Sequence, residues 1–283
     1  MAAPLPLHAL FAQGVPDFAI GLRAIPPAAW LQGGEPDPSA RKDAVFAAHP
    51  ATVWGETDGS RPGQQEVLAL VAAAAGAVDG RAGLPPLLRA SRAVPDDLCL
   101  MEMRDGAWRL AAISLCSPTF FSAEEVVGKS LAQLHAPVPA FADRFLSRIE
   151  RIFTGLRPGL ILERRNWTLV NSEALFTPDP APIRALIAGI APEDAGGRLF
   201  IRSERQTLQR LPMTGGALFT IRVSVWPLDA LMDDPGALAA FAGAWQGASD
   251  AFRGYKKLHL YDALVGAFLR ASGEKASIRA ARG

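Results

Sequence analysis

A chain of 283 residues with 49% hydrophobic and 20% charged side chains can bury a substantial core in one or two domains. Twenty-nine basic against 28 acidic residues leave a formal charge of +1, so no global field draws a polyanion and a dedicated nucleic-acid binder is disfavoured. Met1 to Leu10 put no basic region ahead of an apolar stretch, and the Ala-rich run Val67 to Val78 is too short to span a bilayer. The expectation is therefore a soluble, cytoplasmic protein with no membrane contact.

In chain order, residues 1–63 are rich in Pro and Gly, with short apolar pieces such as Phe18 to Leu22, and read as an extended arm wrapped around a domain spanning 64–270. Gln64 to Ala77 is dominated by strong helix formers, and Gly76 and Gly80 supply stops, which predicts a buried helix. Leu98 to Met103 and Trp108 to Leu115 flank Arg104-Asp105-Gly106-Ala107. An Asp-Gly centre between two strand-like runs predicts a hairpin, because Gly accepts the positive φ of a tight turn.

Ser122 ahead of Glu124 and Glu125 marks a short helix ending at Gly128, since the hydroxyl can accept an orphan backbone N–H. Ser130 to Pro139 is a brief apolar element broken by Pro137 and Pro139, with His135 at the break. Apolar spacing over Phe141 to Phe153 fits a helical face. Leu160 to Val170, Arg198 to Leu208 and Ala217 to Trp226 read as strands, the last two joined by the turn Leu211 to Gly216. Pro235 to Arg270 reads as helical, and 271–283 as a fraying tail. The sum is an α+β fold with five, mostly antiparallel, strands and helices over one face, and no internal repeat.

Few residues are equipped for chemistry. Cys99 and Cys116 lie on separate apolar stretches, as reduced buried thiols do, and no cysteine cluster exists for an iron–sulfur centre. No G-x-S-x-G elbow, phosphate loop or dinucleotide fingerprint is present. His8, His49, His135 and His259 form no pair at metal-ligand spacing, which favours a cofactor needing one protein ligand, as haem iron does. His135, on a stiff Pro-rich loop, is the first candidate and His259 the second; packing alone would also account for a lone histidine.

The densest polar group lies on Arg198 to Arg210. Strand alternation puts Arg202, Glu204 and Gln206 on one face and Ile201, Ser203, Arg205 and Thr207 on the other. Neighbouring strands add Arg164, Arg165, Asn166 and Arg222. Such a group is either a solvated face with ordinary ion pairs or a pocket for carboxylates and a cation.

Several pieces keep a familiar order and spacing across roughly Arg23 to Tyr255: Asp97-Leu98-Cys99-Leu100, Leu134-His135-Ala136-Pro137-Val138-Pro139, Arg165-Asn166-Trp167, Arg202-Ser203-Glu204-Arg205-Gln206-Thr207-Leu208, Arg210-Leu211-Pro212 and Phe219-Thr220-Ile221-Arg222. Together they resemble the haem-bearing alpha subunit of the haem-dependent oxidative N-demethylases. The resemblance implies a PAS-like sheet holding a b-type haem, with dioxygen and a small secondary amine such as dimethylamine as substrates. It also implies release of formaldehyde, and electrons from a separate flavin and iron–sulfur reductase subunit.

By the same resemblance His135 is the axial iron ligand. Glu204 is the counter-charge for a protonated amine and Gln206 its neutral hydrogen-bond partner, with Arg202, Arg205, Arg222 and Arg165 beside the haem as propionate partners. Two departures stand out: Cys116-Ser117-Pro118-Thr119-Phe120-Phe121 lacks the Arg-Trp that often follows Cys-x-Pro, and Gln209 stands where Arg is usual. A haem-binding PAS-like sensor without turnover and a haem-free relative are the alternatives.

Overall fold

A computed structural model of the chain describes residues 7–11, 18–31, 35, 37–76, 78 and 83–280, the side chains of 274–280 excepted. Seven strands, β1 (Arg23–Ile25), β2 (Trp54–Glu56), β3 (Asp97–Arg104), β4 (Ala107–Ser114), β5 (Ile161–Val170), β6 (Phe200–Arg210) and β7 (Ala217–Pro227), form one sheet in the order β1-β5-β6-β7-β3-β4-β2. Every pairing is antiparallel, and the α+β architecture is consistent with a PAS-like fold. The five strands read from the sequence are all present. The two added strands come from the arm and form both sheet edges, so residues 23–25 and 54–56 finish the ladder that the other five begin.

The β3–β4 turn takes the form its Asp-Gly pair dictates: Asp105 and Gly106 both have positive φ, 50° and 75°. Thirteen α-helical segments surround the sheet among the described residues: α1 (Leu7–Phe11), α2 (Pro38–Ala48), α3 (Pro50–Val53), α4 (Arg61–Ala75), α5 (Pro86–Arg92), α6 (Ala123–Val126), α7 (Leu131–Leu134), α8 (Ser147–Gly155), α9 (Ala181–Arg184), α10 (Ala195–Arg198), α11 (Pro235–Gly247), α12 (Asp250–Lys256) and α13 (Asp262–Ala280). Helix α4 starts three residues ahead of Gln64 because Pro62, with its φ preset, suits the first turn; it ends at Gly76, while Ala77 and Gly80 lie outside the described residues.

The closing helical stretch is three helices rather than one. Ser249 caps a fresh start for α12, and Lys257 in the left-handed region ends it. Helix α13 runs on through Ala280, past Arg270; residues 281–283 of the expected tail lie outside the described residues.

The sheet has two differently furnished faces. On the back, Trp167, Leu169 and Ile201 pack under α1 and α11 to α13, and Leu98, Leu100 and Leu218 pack under α4 and α5. On the front, Cys99, Met101, Leu110, Ile113 and Leu208 meet Ala123, Leu131 and Phe153 from α6 to α8. This helical cover reaches Phe219 and Ile221 of β7, and the loops at 117–119 and 174–175 cover Arg202 of β6. On these central strands the front residues Glu204, Gln206, Ile221 and Val225 are half-exposed around buried Arg202 and Val223; on the back Ser203, Arg205, Thr207 and Thr220 are buried, and Arg222, Ser224 and Trp226 toward the end of β7 are half-exposed. Half-open side chains in mid-sheet mark a recess in the front layer.

Candidate functional site

His135 stands at this front layer, at the C-terminal end of α7. A capping box in which Ser130 and Gln133 serve each other's backbone N–H starts that one-turn helix, and Pro137 prevents its continuation. His135 Nδ1 lies 2.9 Å from the Leu131 carbonyl oxygen; since a carbonyl only accepts, Nδ1 carries the proton. The Phe141 ring stacks on the imidazole at 4.2 Å and 4°. Burial, joined by the charge of Arg164, holds the imidazole below its ordinary pKa against the Leu131 hydrogen bond. The ring is thus neutral at pH 7, orientated on both sides, with an Nε2 lone pair that has no hydrogen-bond partner among the described residues. His259, the other candidate, is exposed on a short 3-10 turn, Leu258–Tyr261.

The β5–β6 register sets Arg164 opposite Gln206, Asn166 opposite Glu204 and Thr168 opposite Arg202. Opposed residues share a face, so Arg164, Glu204, Gln206 and Arg202 all lie on the front. Gln206 Nε2 donates to Glu204 Oε2 at 2.8 Å, and the Thr119 hydroxyl donates to Glu204 Oε1 at 2.7 Å. Among the described residues no strand pairs with the outer edge of β5 beyond β1, and Tyr255 and Lys256 of α12 come within electrostatic reach of Glu204 and Arg164. Burial lowers the pKa of both Arg164 and Lys256, while the Glu204 charge opposes it. Neither cation makes a hydrogen bond or a close ion pair among the described residues.

The arginines that sequence placed beside a haem sit differently. Arg205 and Arg222 oppose each other across β6 and β7, and Arg165 opposes Arg205 across β5, all on the back face, with the sheet between them and His135. There Arg205 Nε donates to Glu163 at 2.5 Å and its terminal nitrogens donate to the carbonyls of Trp30 and Ala29, at 2.5 and 2.6 Å. Arg165 Nε is 3.3 Å from Glu163, and Arg222 Nε donates to Asp96 at 2.8 Å. Arg202 is on the front, yet its donors are engaged by Thr119 Oγ1 and by the carbonyls of Ser117, Pro118, Ala174 and Leu175, at 2.8 to 3.0 Å. Arg202, Arg205 and Arg222 are engaged by protein and have little left for a propionate, while Arg165, whose Nε has no hydrogen bond among the described residues, is kept from the front by the sheet itself. Arg164, Lys256, Thr119 and Tyr255 join the site instead.

The back-face cluster carries its own prediction. Burial would raise the Glu163 pKa, but Arg23, Arg205 and Arg165 outweigh it and hold the carboxyl below the usual range. A depressed folded-state pKa gives stability that is present above the unfolded value and lost as pH falls through the folded one. Glu163→Gln is therefore expected to cost about 2–4 kcal/mol at neutral pH, with the deficit against wild type shrinking below about pH 4. Urea unfolding at stepped pH measures both.

The model of one protein family, described as haem-dependent oxidative N-demethylase, alpha subunit-like, matches residues 73–265, well over half of the chain. The chain belongs to this family. The haem-dependent oxidative N-demethylase alpha subunit-like match takes in His135, Arg164, Glu204, Gln206 and Lys256, so the front recess lies wholly inside the family region. Function at the family level is haem-dependent oxidative N-demethylation. No helix among the described residues is long and apolar enough to cross a membrane, and no group of His, Cys, Asp or Glu among them is arranged to hold a metal ion by itself. One imidazole whose Nε2 has no hydrogen-bond partner among the described residues, beside half-exposed apolar strand residues and two cations, Arg164 and Lys256, that make no hydrogen bond or close ion pair there, Lys256 lying over the Tyr255 ring, fits what a haem requires.

Proposed function

We propose that the chain binds a b-type haem in the front recess through His135 Nε2, as the haem subunit of an enzyme that oxidises a small secondary amine such as dimethylamine. The observation that carries this reading is the geometry of His135: anchored at Nδ1 by the Leu131 carbonyl, with no hydrogen-bond partner at Nε2 among the described residues. A hydrogen bond at the far nitrogen fixes tautomer and ring direction, as it does for ligating imidazoles generally. Arg164 and Lys256 take the propionates in this reading, because Arg202 is committed to loop carbonyls and Arg165, Arg205 and Arg222 face the back of the sheet. Bound haem would supply the iron at which dioxygen oxidises the N-methyl group, with electrons delivered by a separate flavin and iron–sulfur reductase subunit and formaldehyde released.

The protein's own part is to hold the amine. A dialkylammonium entering a partly dry recess needs a counter-charge, because an unpaired buried cation is costly. With two propionates neutralising Arg164 and Lys256, Glu204 keeps only the Arg202 charge near it, relayed through Thr119, and its two oxygens each retain capacity to accept an N–H from a cation. Ile221, Val223 and Val225 of β7 provide the apolar wall beside it.

Haemin titration followed at the Soret band tests the reading. Wild type is expected to give a saturable band, and His135→Ala to lose it or bind haemin at least about ten-fold more weakly. Addition of dimethylamine should perturb the wild-type band and release formaldehyde when reductant and dioxygen are supplied. Glu204→Gln should retain the band and weaken dimethylamine about ten-fold or more. A band identical in wild type and His135→Ala would place the iron ligand elsewhere, and a band that responds to gases but never yields formaldehyde would make the chain a sensor.

A further inference from the structure

We propose that Thr119 is a positioning residue that pins the Glu204 carboxylate for an ammonium bearing two N–H groups, and so sets the preference for secondary over tertiary amines; this rests on the amine-site reading of Glu204 given above. The geometry of Thr119 leaves one arrangement of protons. Arg202 Nε–H can only donate, and it lies 2.9 Å from Thr119 Oγ1. The hydroxyl must therefore accept from Arg202, and its single proton goes to Glu204 Oε1 at 2.7 Å.

The loop that carries Thr119 has little freedom to follow a moving carboxylate. Arg202 Nη2 donates to the Ser117 and Pro118 carbonyls at 3.0 and 2.9 Å. Thr177 Oγ1 donates to the Pro118 carbonyl, and Phe120 N–H to the Thr177 carbonyl, each at 2.9 Å. Phe120 sits at φ 66°, a conformation that a bulky side chain adopts only when its surroundings impose it. Gln206 fixes the other oxygen of Glu204 at 2.8 Å. One donor on each oxygen stops the carboxylate turning and leaves one acceptor direction free on each.

A secondary ammonium has two N–H groups to match those two directions, a tertiary ammonium has one and a quaternary ammonium has none. A carboxylate free to rotate satisfies one N–H nearly as well as two, so discrimination depends on the pin rather than on the charge. The expected result is read from Soret-perturbation titrations of haem-loaded protein with dimethylamine, trimethylamine and tetramethylammonium, at a pH where both amines are protonated. Thr119→Val should reduce the dimethylamine-to-trimethylamine affinity ratio about ten-fold, the loss expected for one hydrogen bond to a charged group. Thr119→Ser, which keeps the hydroxyl, should hold the wild-type ratio.

A merely structural role for Thr119 would weaken all three ligands alike and leave the ratio unmoved. Thr119→Ala serves as a second variant in case Val distorts the loop. An unchanged ratio in both Val and Ala variants, with Glu204→Gln still lowering dimethylamine affinity, overturns the proposal and leaves the amine-site reading standing. Wild-type dimethylamine affinity in Glu204→Gln, or no amine response in wild type, removes the amine-site reading and the proposal with it.

Discussion

Arg202→Met is expected to lower the unfolding free energy by about 3–5 kcal/mol, the cost of stripping partners from a buried polar network. Arg202 is 1% exposed, and its guanidinium is the donor for Thr119 Oγ1 and for four loop carbonyls, those of Ser117, Pro118, Ala174 and Leu175. Methionine fills much of the same volume and donates nothing. The carbonyls then face the interior without partners, and the 117–119 and 174–175 loops lose their joint anchor to β6. Arg202→Lys should recover only part of the loss, since one ammonium cannot reproduce a planar fork spread over two loops. Chemical denaturation monitored by tryptophan fluorescence checks this; a deficit under about 1 kcal/mol would mean that water serves those carbonyls. Because Thr119 is held by the same side chain, haem-loaded Arg202→Met should also discriminate amines poorly.

Much of this fold was legible in the residues because its signals are local. Asp105-Gly106 fixes the β3–β4 hairpin by itself, and Ser122 announces its helix through a hydroxyl that serves the third residue on, whereas the Ser130 cap of α7 reads in the sequence only as part of a brief apolar element. Strands β1 and β2 were not legible. Each is three residues long, lies in a Pro- and Gly-rich stretch, and exists only because a β5 or β4 edge is there to pair with. Alternation along β6 correctly separated Glu204 and Gln206 from Arg205. It could not say which of the adjacent pair Arg164 and Arg165 faces forward, because that depends on the register with β6, a non-local fact.

The larger gap concerns what the charged groups do once placed. Arg202 shares a face with Glu204, yet it is committed to carbonyls from two distant loops, and no local pattern marks such acceptors. Thr119 and Lys256 reach the site from elements more than fifty residues from β6 in one case and beyond β7 in the other, so neither carries a signature at its own position. Exposure is the corresponding clue in three dimensions: half-open residues in the centre of a sheet locate the recess, where composition and motif do not.

Lys42→Met is expected to cost about 3–5 kcal/mol as well, by abandoning a buried carboxylate rather than by emptying space. Lys42 of α2 is 2% exposed; its ammonium donates to the Asp96 carbonyl at 2.5 Å and stands 4.0 Å from Asp97, which is wholly buried. Asp97 in turn accepts the Cys116 and Ser117 N–H groups at 2.8 and 2.9 Å, so the pair holds the near end of the loop that carries Thr119. Burial pushes the Asp97 carboxyl up, and the Lys42 charge is the largest influence opposing it. Removing that ammonium raises the folded-state pKa further. A carboxyl whose pKa is higher folded than unfolded binds its proton more tightly in the folded state, so stability rises as pH falls through the folded value. The Lys42→Met deficit should accordingly shrink as pH falls from neutral toward the ordinary carboxylate range, opposite in sign to an acidic group that loses a favourable partner by protonation. Lys42→Met combined with Asp97→Asn should be more stable than Lys42→Met alone, giving a coupling energy of about 2 kcal/mol or more in a double-mutant cycle. Additive losses with no pH trend would mean that the two backbone N–H groups, not Lys42, keep the carboxylate tolerable.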